Sequence, residues 1–180
     1  PTHAHLDHVG AVPFMANAYK ATIYCTAFTE AVIRITVRDD KYVLKNKIEV
    51  IKPRQRITIA KDITIQFISV PHSIPQQVIV AIHTKYGCIV YATDWKFDDT
   101  PTLGQKPDYE SLKNLGQQNV VLAFLSSLYA DHPGKTPSEA KAAEMLKDLL
   151  IGENHKGKAV IVTTFSSHIA RLKTVLECGI

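Results

Sequence analysis

The chain reads as an α/β protein in two parts, and three stretches predict it. A histidine-rich loop leads into helix and strand patterns; three consecutive strand patterns fill residues 63–94; from residue 133 onward helix, strand and helix alternate. With 180 residues, 46% hydrophobic and 21% charged, the composition is that of an ordinary globular protein and excludes disorder. The change of pattern places the expected boundary between a first domain, 1–131, and the beginning of a second, 132–180.

The elements follow in order. VGAVPFMANAYK has near-helical apolar spacing despite Pro13, and ATIYC is a short β-branched strand. TAFTEAVIRITVRDD predicts a helix capped by Thr26, with an apolar stripe at Phe28, Val32, Ile33 and Ile35. Short strands are expected around Ile48 to Ile51 and Ile57 to Ile59. ITIQFISV alternates before Pro71, VIVAIHT is continuously apolar, and GCIVYATD follows a Tyr86-Gly87 turn. PDYESLKNLG predicts a short helix ending at Gly116, and NVVLAFL a buried strand. TPSEAKAAEMLKDLLIGEN, KAVIVTT and SSHIARLKTVLECG then predict helix, buried strand and helix.

Bulk charge says little about a partner, because the net +4 is too mild to identify a nucleic-acid-binding protein. No apolar run approaches the roughly 18 residues that cross a bilayer, and no secretory leader pattern is present, so a cytoplasmic chain without a membrane partner is expected. Cys25, Cys88 and Cys178 lack CxxC spacing and are expected to be reduced thiols. The chain starts without Met and stops just after a helical pattern, which suggests a segment of a longer protein.

The chemistry begins in PTHAHLDHVG, with His3, His5, Asp7 and His8 inside six residues. In an extended loop the two-residue period puts His3, His5 and Asp7 on one side and His8 on the other, an arrangement able to serve two adjacent ions. Neutral imidazoles suit zinc, and an Asp beside a His can hold a second ion; manganese tolerates the same donors. The bland alternative is a set of surface histidines in a turn. Two further donors follow strands: His72 in VPHSIP after ITIQFISV, and Asp94 in YATDWKFD after CIVYAT. Each alone reads as a turn residue, but strand ends are where ligands converge in α/β sheets.

HAHLDH, PHSIP and ATDWKFD, in that order and spacing, resemble the metallo-β-lactamase superfamily, and HSIP resembles its ribonuclease J branch. YADHPGKTPSE and TTFSSHIARL are similar to the β-CASP nucleases. The resemblance implies a partial αββα sandwich followed by the start of a β-CASP domain. It also implies that His3, His5 and His72 hold one zinc, that Asp7 and His8 hold a second, and that Asp94 bridges them. A hydroxide between the ions would attack, with Asp7 and His8 as catalytic residues and Asp7 orienting the water. The implied activity is zinc-dependent hydrolysis of single-stranded RNA, 5′-to-3′ exonucleolytic with endonuclease action as a variant. Ser73, Ser166, Ser167 and His168 are the implied substrate-binding residues. Oligomeric state is left open, a homo-oligomer included.

Two rivals stand beside this reading: a hydrolase of a small thioester or lactam, and a non-cleaving RNA-binding module. The second is motivated by Ser126 and Ser127, which stand where the family has an acidic residue at a strand end; Asp131 is a poor substitute. The family's further histidine for the second metal has no counterpart here, since His83, His132 and His155 read as structural or exposed. PGKTPSE is not a phosphate loop, because Tyr129 occupies the place of the required glycine; Thr136, Pro137 and Glu139 read instead as a capping box. In FSSHIARL, Ser166 and Ser167 at a helix start can cap the helix or bind phosphate.

Overall fold

The computed structural model describes residues 1–179. A short helix α1 (Leu6–Val9) leads into α2 (Val12–Tyr19), whose first turn holds Pro13, where a missing N–H costs nothing. Strand β1 (Ile23–Thr26) and helix α3 (Ala27–Asp39) precede β2 (Ile48–Ile51), which pairs parallel with β1. Five strands then form a mixed sheet in sequence order: β3 (Arg56–Ala60), β4 (Ile63–Ser69), β5 (Val78–Thr84), β6 (Gly87–Ala92) and β7 (Val120–Leu125). The pairings from β3 to β6 are antiparallel, and β6 with β7 is parallel. Helix α4 (Tyr109–Gly116) connects β6 to β7; α5 (Glu139–Lys147), continued by a π turn over Asp148–Gly152, and α6 (Ile169–Cys178) complete the chain.

Three apolar clusters define four layers. Val9, Ala16, Ile23, Cys25 and Ile33 join α2 and α3 to the small sheet. Ile51, Phe67 and Val78 join the two sheets face to face, and Ile68, Ile79, Ala81 and Val90 on the far face pack on Leu115 of α4. Helix, sheet, sheet, helix is the metallo-β-lactamase-like sandwich expected from the sequence. In α3 the buried stripe runs through Thr29 and Ile33, while Ile35 is 48% exposed, so the stripe is rotated by part of a turn from the expected one. Thr26 is the N-cap residue, but its hydroxyl pairs with that of Thr29 instead of capping a backbone N–H. At the start of β6, Gly87 has φ of +134°, and a Cβ there would stand 2.7 Å from the Asn119 carbonyl oxygen, so β7 can approach only a glycine.

The rear of the chain departs from expectation. β7 forms as a strand, but every residue of it is exposed, against the buried strand predicted from its apolar run. KAVIVTT forms no strand: Ile161 is 86% exposed, and among the described residues no neighbouring strand offers it a ladder. The cap of α5 is Ser138, whose oxygen accepts from the Lys141 N–H, two residues beyond the expected Thr136. The cap of α6 is His168, not Ser166, with Nδ1 accepting from the Arg171 N–H. No described helix is long and apolar enough to cross a membrane.

Candidate metal centre

Sheet topology places the site. Because β4 and β6 both run antiparallel to β5, they run parallel to one another, and their C-terminal ends meet the start of β5 at one edge. His72 follows β4 there and Asp94 follows β6. The opening loop crosses the same edge, held by the Val78 N–H donating to the Thr2 carbonyl at 3.0 Å. The Lys96 N–H donating to the Pro71 carbonyl at 3.2 Å ties the Asp94 loop to the His72 loop.

The side chains converge. Nε2 of His3 lies 3.0 Å from Nδ1 of His5, which lies 3.2 Å from Nε2 of His72, and Oδ2 of Asp94 is 3.7 Å from Nε2 of His3. One donor atom each from His3, His5, His72 and Asp94 falls within 4.8 Å of the others. Asp7, His8 and Asp94 form a second such group; His8 Nε2 is 3.1 Å from Asp94 and 3.4 Å from Asp7. The clusters share Asp94 and make a mono- or dinuclear metal site. The sidedness differs from expectation in one respect. The helix begins at Leu6, so Asp7 is already helical and faces His8 and Asp94, where an extended loop would have set it beside His3 and His5.

The donor set fits zinc. A tetrahedral ion with bonds of about 2.0–2.1 Å sets its ligand atoms about 3.3 Å apart, close to the spacings seen here. The outer nitrogens also have partners suited to that role. With Nε2 of His3 left as the free lone pair, its Nδ1–H donates to the Thr2 oxygen at 3.0 Å; with Nδ1 of His5 left free, its Nε2–H donates to Ser73 Oγ at 3.2 Å. Burial, reinforced by the neighbouring imidazoles, pushes the pKa of His3 down to about 2 and that of His72 to about 4. Both rings are therefore neutral and able to ligate at neutral pH.

The remaining candidates scatter more widely. Ser73 contacts His5, and its carbonyl accepts the Ala170 N–H at 3.0 Å, which brings the start of α6 and His168 to the site's flank. Desolvation lowers the pKa of His168. Ser166 and Ser167 are exposed. Ser126 follows β7, with its N–H on the Ala92 carbonyl and its oxygen accepting from the Leu128 N–H. Asp131 is 85% exposed and pairs with His132, His155 bonds the Leu149 carbonyl, and His83 meets Gln66 within the sheet, so none of them joins either donor group. Sequence reasoning missed Thr2, Thr93 and Gln77, polar residues that stitch the edge together. The Thr2 and Thr93 hydroxyls lie 3.3 Å apart, and the Gln77 amide donates to the Thr93 and Asp94 carbonyls. The available signal was faint: polar side chains adjoining the ligand motifs and the start of an apolar strand.

Residues 1–147 match the family model described as a beta-lactamase superfamily domain. Ribonuclease J of Methanocaldococcus jannaschii is 43% identical over 178 residues, covering 98% of this chain and 40% of the relative. Ribonuclease J of Pyrococcus abyssi is 38% identical with the same coverage. A solved structure from Enterococcus faecalis V583, described as a protein of unknown function, superposes with a TM-score of 0.68 at 15% identity, over 98% of this chain and 43% of its own, and shares the fold. The chain thus spans about two fifths of the length of these relatives. Its family match and its donor clusters are those of a metallo-hydrolase of the lactamase fold, and the chain belongs to the metallo-β-lactamase superfamily.

Proposed function

We propose that this chain carries the metal centre of a zinc-dependent ribonuclease that hydrolyses single-stranded RNA, 5′-to-3′ as an exonuclease and with endonuclease action as a variant. The observation that carries the reading is the shared-carboxylate donor pair at an open strand edge, in a chain whose relatives are named ribonuclease J. In this reading His3, His5 and His72 hold one zinc, Asp7 and His8 the other, and Asp94 both; manganese is the alternative ion. Bound zinc would supply an acidified water and stabilise the attacking and leaving oxygens of a phosphodiester.

The chain's own residues would do the rest. Asp7, 77% exposed, presents its carboxylate to solvent beside His8, where it can accept a proton from the attacking water and orient it. Ser73 accepts from His5 and keeps its hydroxyl proton for a phosphate oxygen. Ser166, Ser167 and His168, which directly precede α6, would bind the backbone of the RNA strand. The division at residues 131 and 132, the β-CASP character of the second part and a cytoplasmic location belong to the same proposal. A non-cleaving RNA-binding module is the second reading, favoured by the neutral Ser126 after β7.

The test is to incubate the intact protein with 5′-labelled RNA, with and without chelator. Chelator-sensitive release of mononucleotides from the 5′ end supports the exonuclease, and internal fragments support the endonuclease. Salt-dependent binding with RNA left whole supports the module. Absence of RNA binding returns the chain to small-substrate hydrolysis.

A further inference from the structure

Gln77 is a deeply buried polar group that the proposed chemistry does not use. It is 1% exposed and directly precedes β5, between the two loops that carry His72 and Asp94. Its Nε2 donates to the Thr93 carbonyl at 2.6 Å and to the Asp94 carbonyl at 2.9 Å. The β5–β6 register, in which Val80 faces Tyr91, continues to place Gln77 across from Asp94. Asp94 itself has φ of +52°, a left-handed conformation that L-residues avoid unless their surroundings enforce it.

The amide explains the enforcement. Two successive carbonyls turned toward one point repel each other, and a neutral group holding both must offer two hydrogens from one atom. Among uncharged side chains only the Asn or Gln amide does so. The reversed amide would aim its oxygen at both carbonyls, so the orientation is determined by chemistry. Its Oε1 is buried without a partner, which leaves the Asp94 turn as the sole partner of the side-chain amide among the described residues. The turn in its left-handed form brings one carboxylate oxygen to 3.1 Å from His8 and 3.7 Å from His3, so it serves both donor groups at once.

We propose that Gln77 is a positioning residue that holds Asp94 in the conformation able to bridge the two metal subsites. The proposal rests on the reading of Asp94 as a metal ligand. Loss of an outer partner of a metal ligand typically lowers metal affinity about 10- to 100-fold, and a loss of that size is expected for Gln77→Met.

The experiment titrates the metal-free intact protein with zinc against a competing chromophoric chelator. The set comprises wild type, Gln77→Met, Asp94→Ala and the double variant, with melting of each metal-free form alongside. Gln77→Met should weaken zinc binding at least about tenfold and should have no further effect once Asp94 is alanine, because it acts only through that residue. Gln66→Met, which removes a buried amide on the same sheet that contacts Arg56 and His83, should lower the melting temperature without changing zinc affinity. Gln77→Glu keeps the shape, removes the paired donors and gives the same comparison should the methionine variant fail to fold. Unchanged zinc affinity in both Gln77 variants, or equal losses with and without Asp94, overturns the proposal alone. A wild-type protein that binds no zinc overturns the metal reading, and this proposal with it.

Discussion

The edge bearing the donor clusters and the stretch from residue 116 to 169 meet opposite fates in burial. At the edge, His3, Thr2, Gln77 and Val78 are each at most 2% exposed, and three loops are joined by backbone and side-chain hydrogen bonds. Between residues 116 and 169 no residue is buried, including the apolar run of β7 and Ile161. The difference is one of partners. A strand buries its side chains only where another layer covers it, and β5 is covered on both faces whereas β7 is covered on neither among the described residues. Apolar patterning states a demand for cover; it does not supply the cover.

The largest expected effect is at the edge. Asp7→Ala in the intact protein should reduce RNA cleavage by about 10²–10⁴-fold while leaving RNA binding largely intact, since this carboxylate acts on the water and not on the strand. Unchanged cleavage, followed with labelled RNA, would eliminate the role given to it.

The contrast in burial is next. Ile33→Ala empties a fully buried position and should cost about 2–5 kcal/mol by urea unfolding, whereas Leu122→Ala, at a site 46% exposed, should cost clearly less. Equal losses would mean that β7 is covered in solution.

Acid should act on the edge as well. His3 and His72 titrate near 6.5 when unfolded but only at about 2 and about 4 when folded, so below pH 6.5 the unfolded chain takes up protons that the folded one refuses. Stability of the metal-free protein is therefore undiminished above that pH and falls as pH drops through the window down to about 4 for His72 and about 2 for His3. A melting series from pH 7 to 5 should show the decline, and His72→Asn should make it shallower; a flat series breaks the account of burial at the edge.

The smallest effect belongs to the rear. Ser138→Ala removes the α5 cap and should cost about 1 kcal/mol by denaturant unfolding. A loss of several kcal/mol would show that α5 is more deeply integrated than its unburied residues indicate.

Much of the edge is legible in the amino-acid sequence itself. His3, His5, Asp7, His8, His72 and Asp94 stand out because ligand residue types are rare at such spacing, and because the strand patterns place the last two at strand ends. The caps are less legible: Ser138 and His168 take roles expected of Thr136 and Ser166, since several adjacent residues could each cap and tertiary tethers choose among them. The Glu139 N–H is held by the buried Asp98, and the Ala170 N–H by the Ser73 carbonyl; these contacts fix where α5 and α6 begin. Gln77 is invisible in the sequence for a related reason. Its significance depends on a left-handed turn seventeen residues away, brought opposite only by the register of β5 with β6.

Residue type and spacing by themselves determined the donor set and most strand and helix positions, because ligand chemistry and periodic burial are properties of short segments. Only the tertiary structure decided which apolar strands found cover, which donors share Asp94, and what holds that residue in place, because those depend on surfaces and carbonyls that distant parts of the chain bring together.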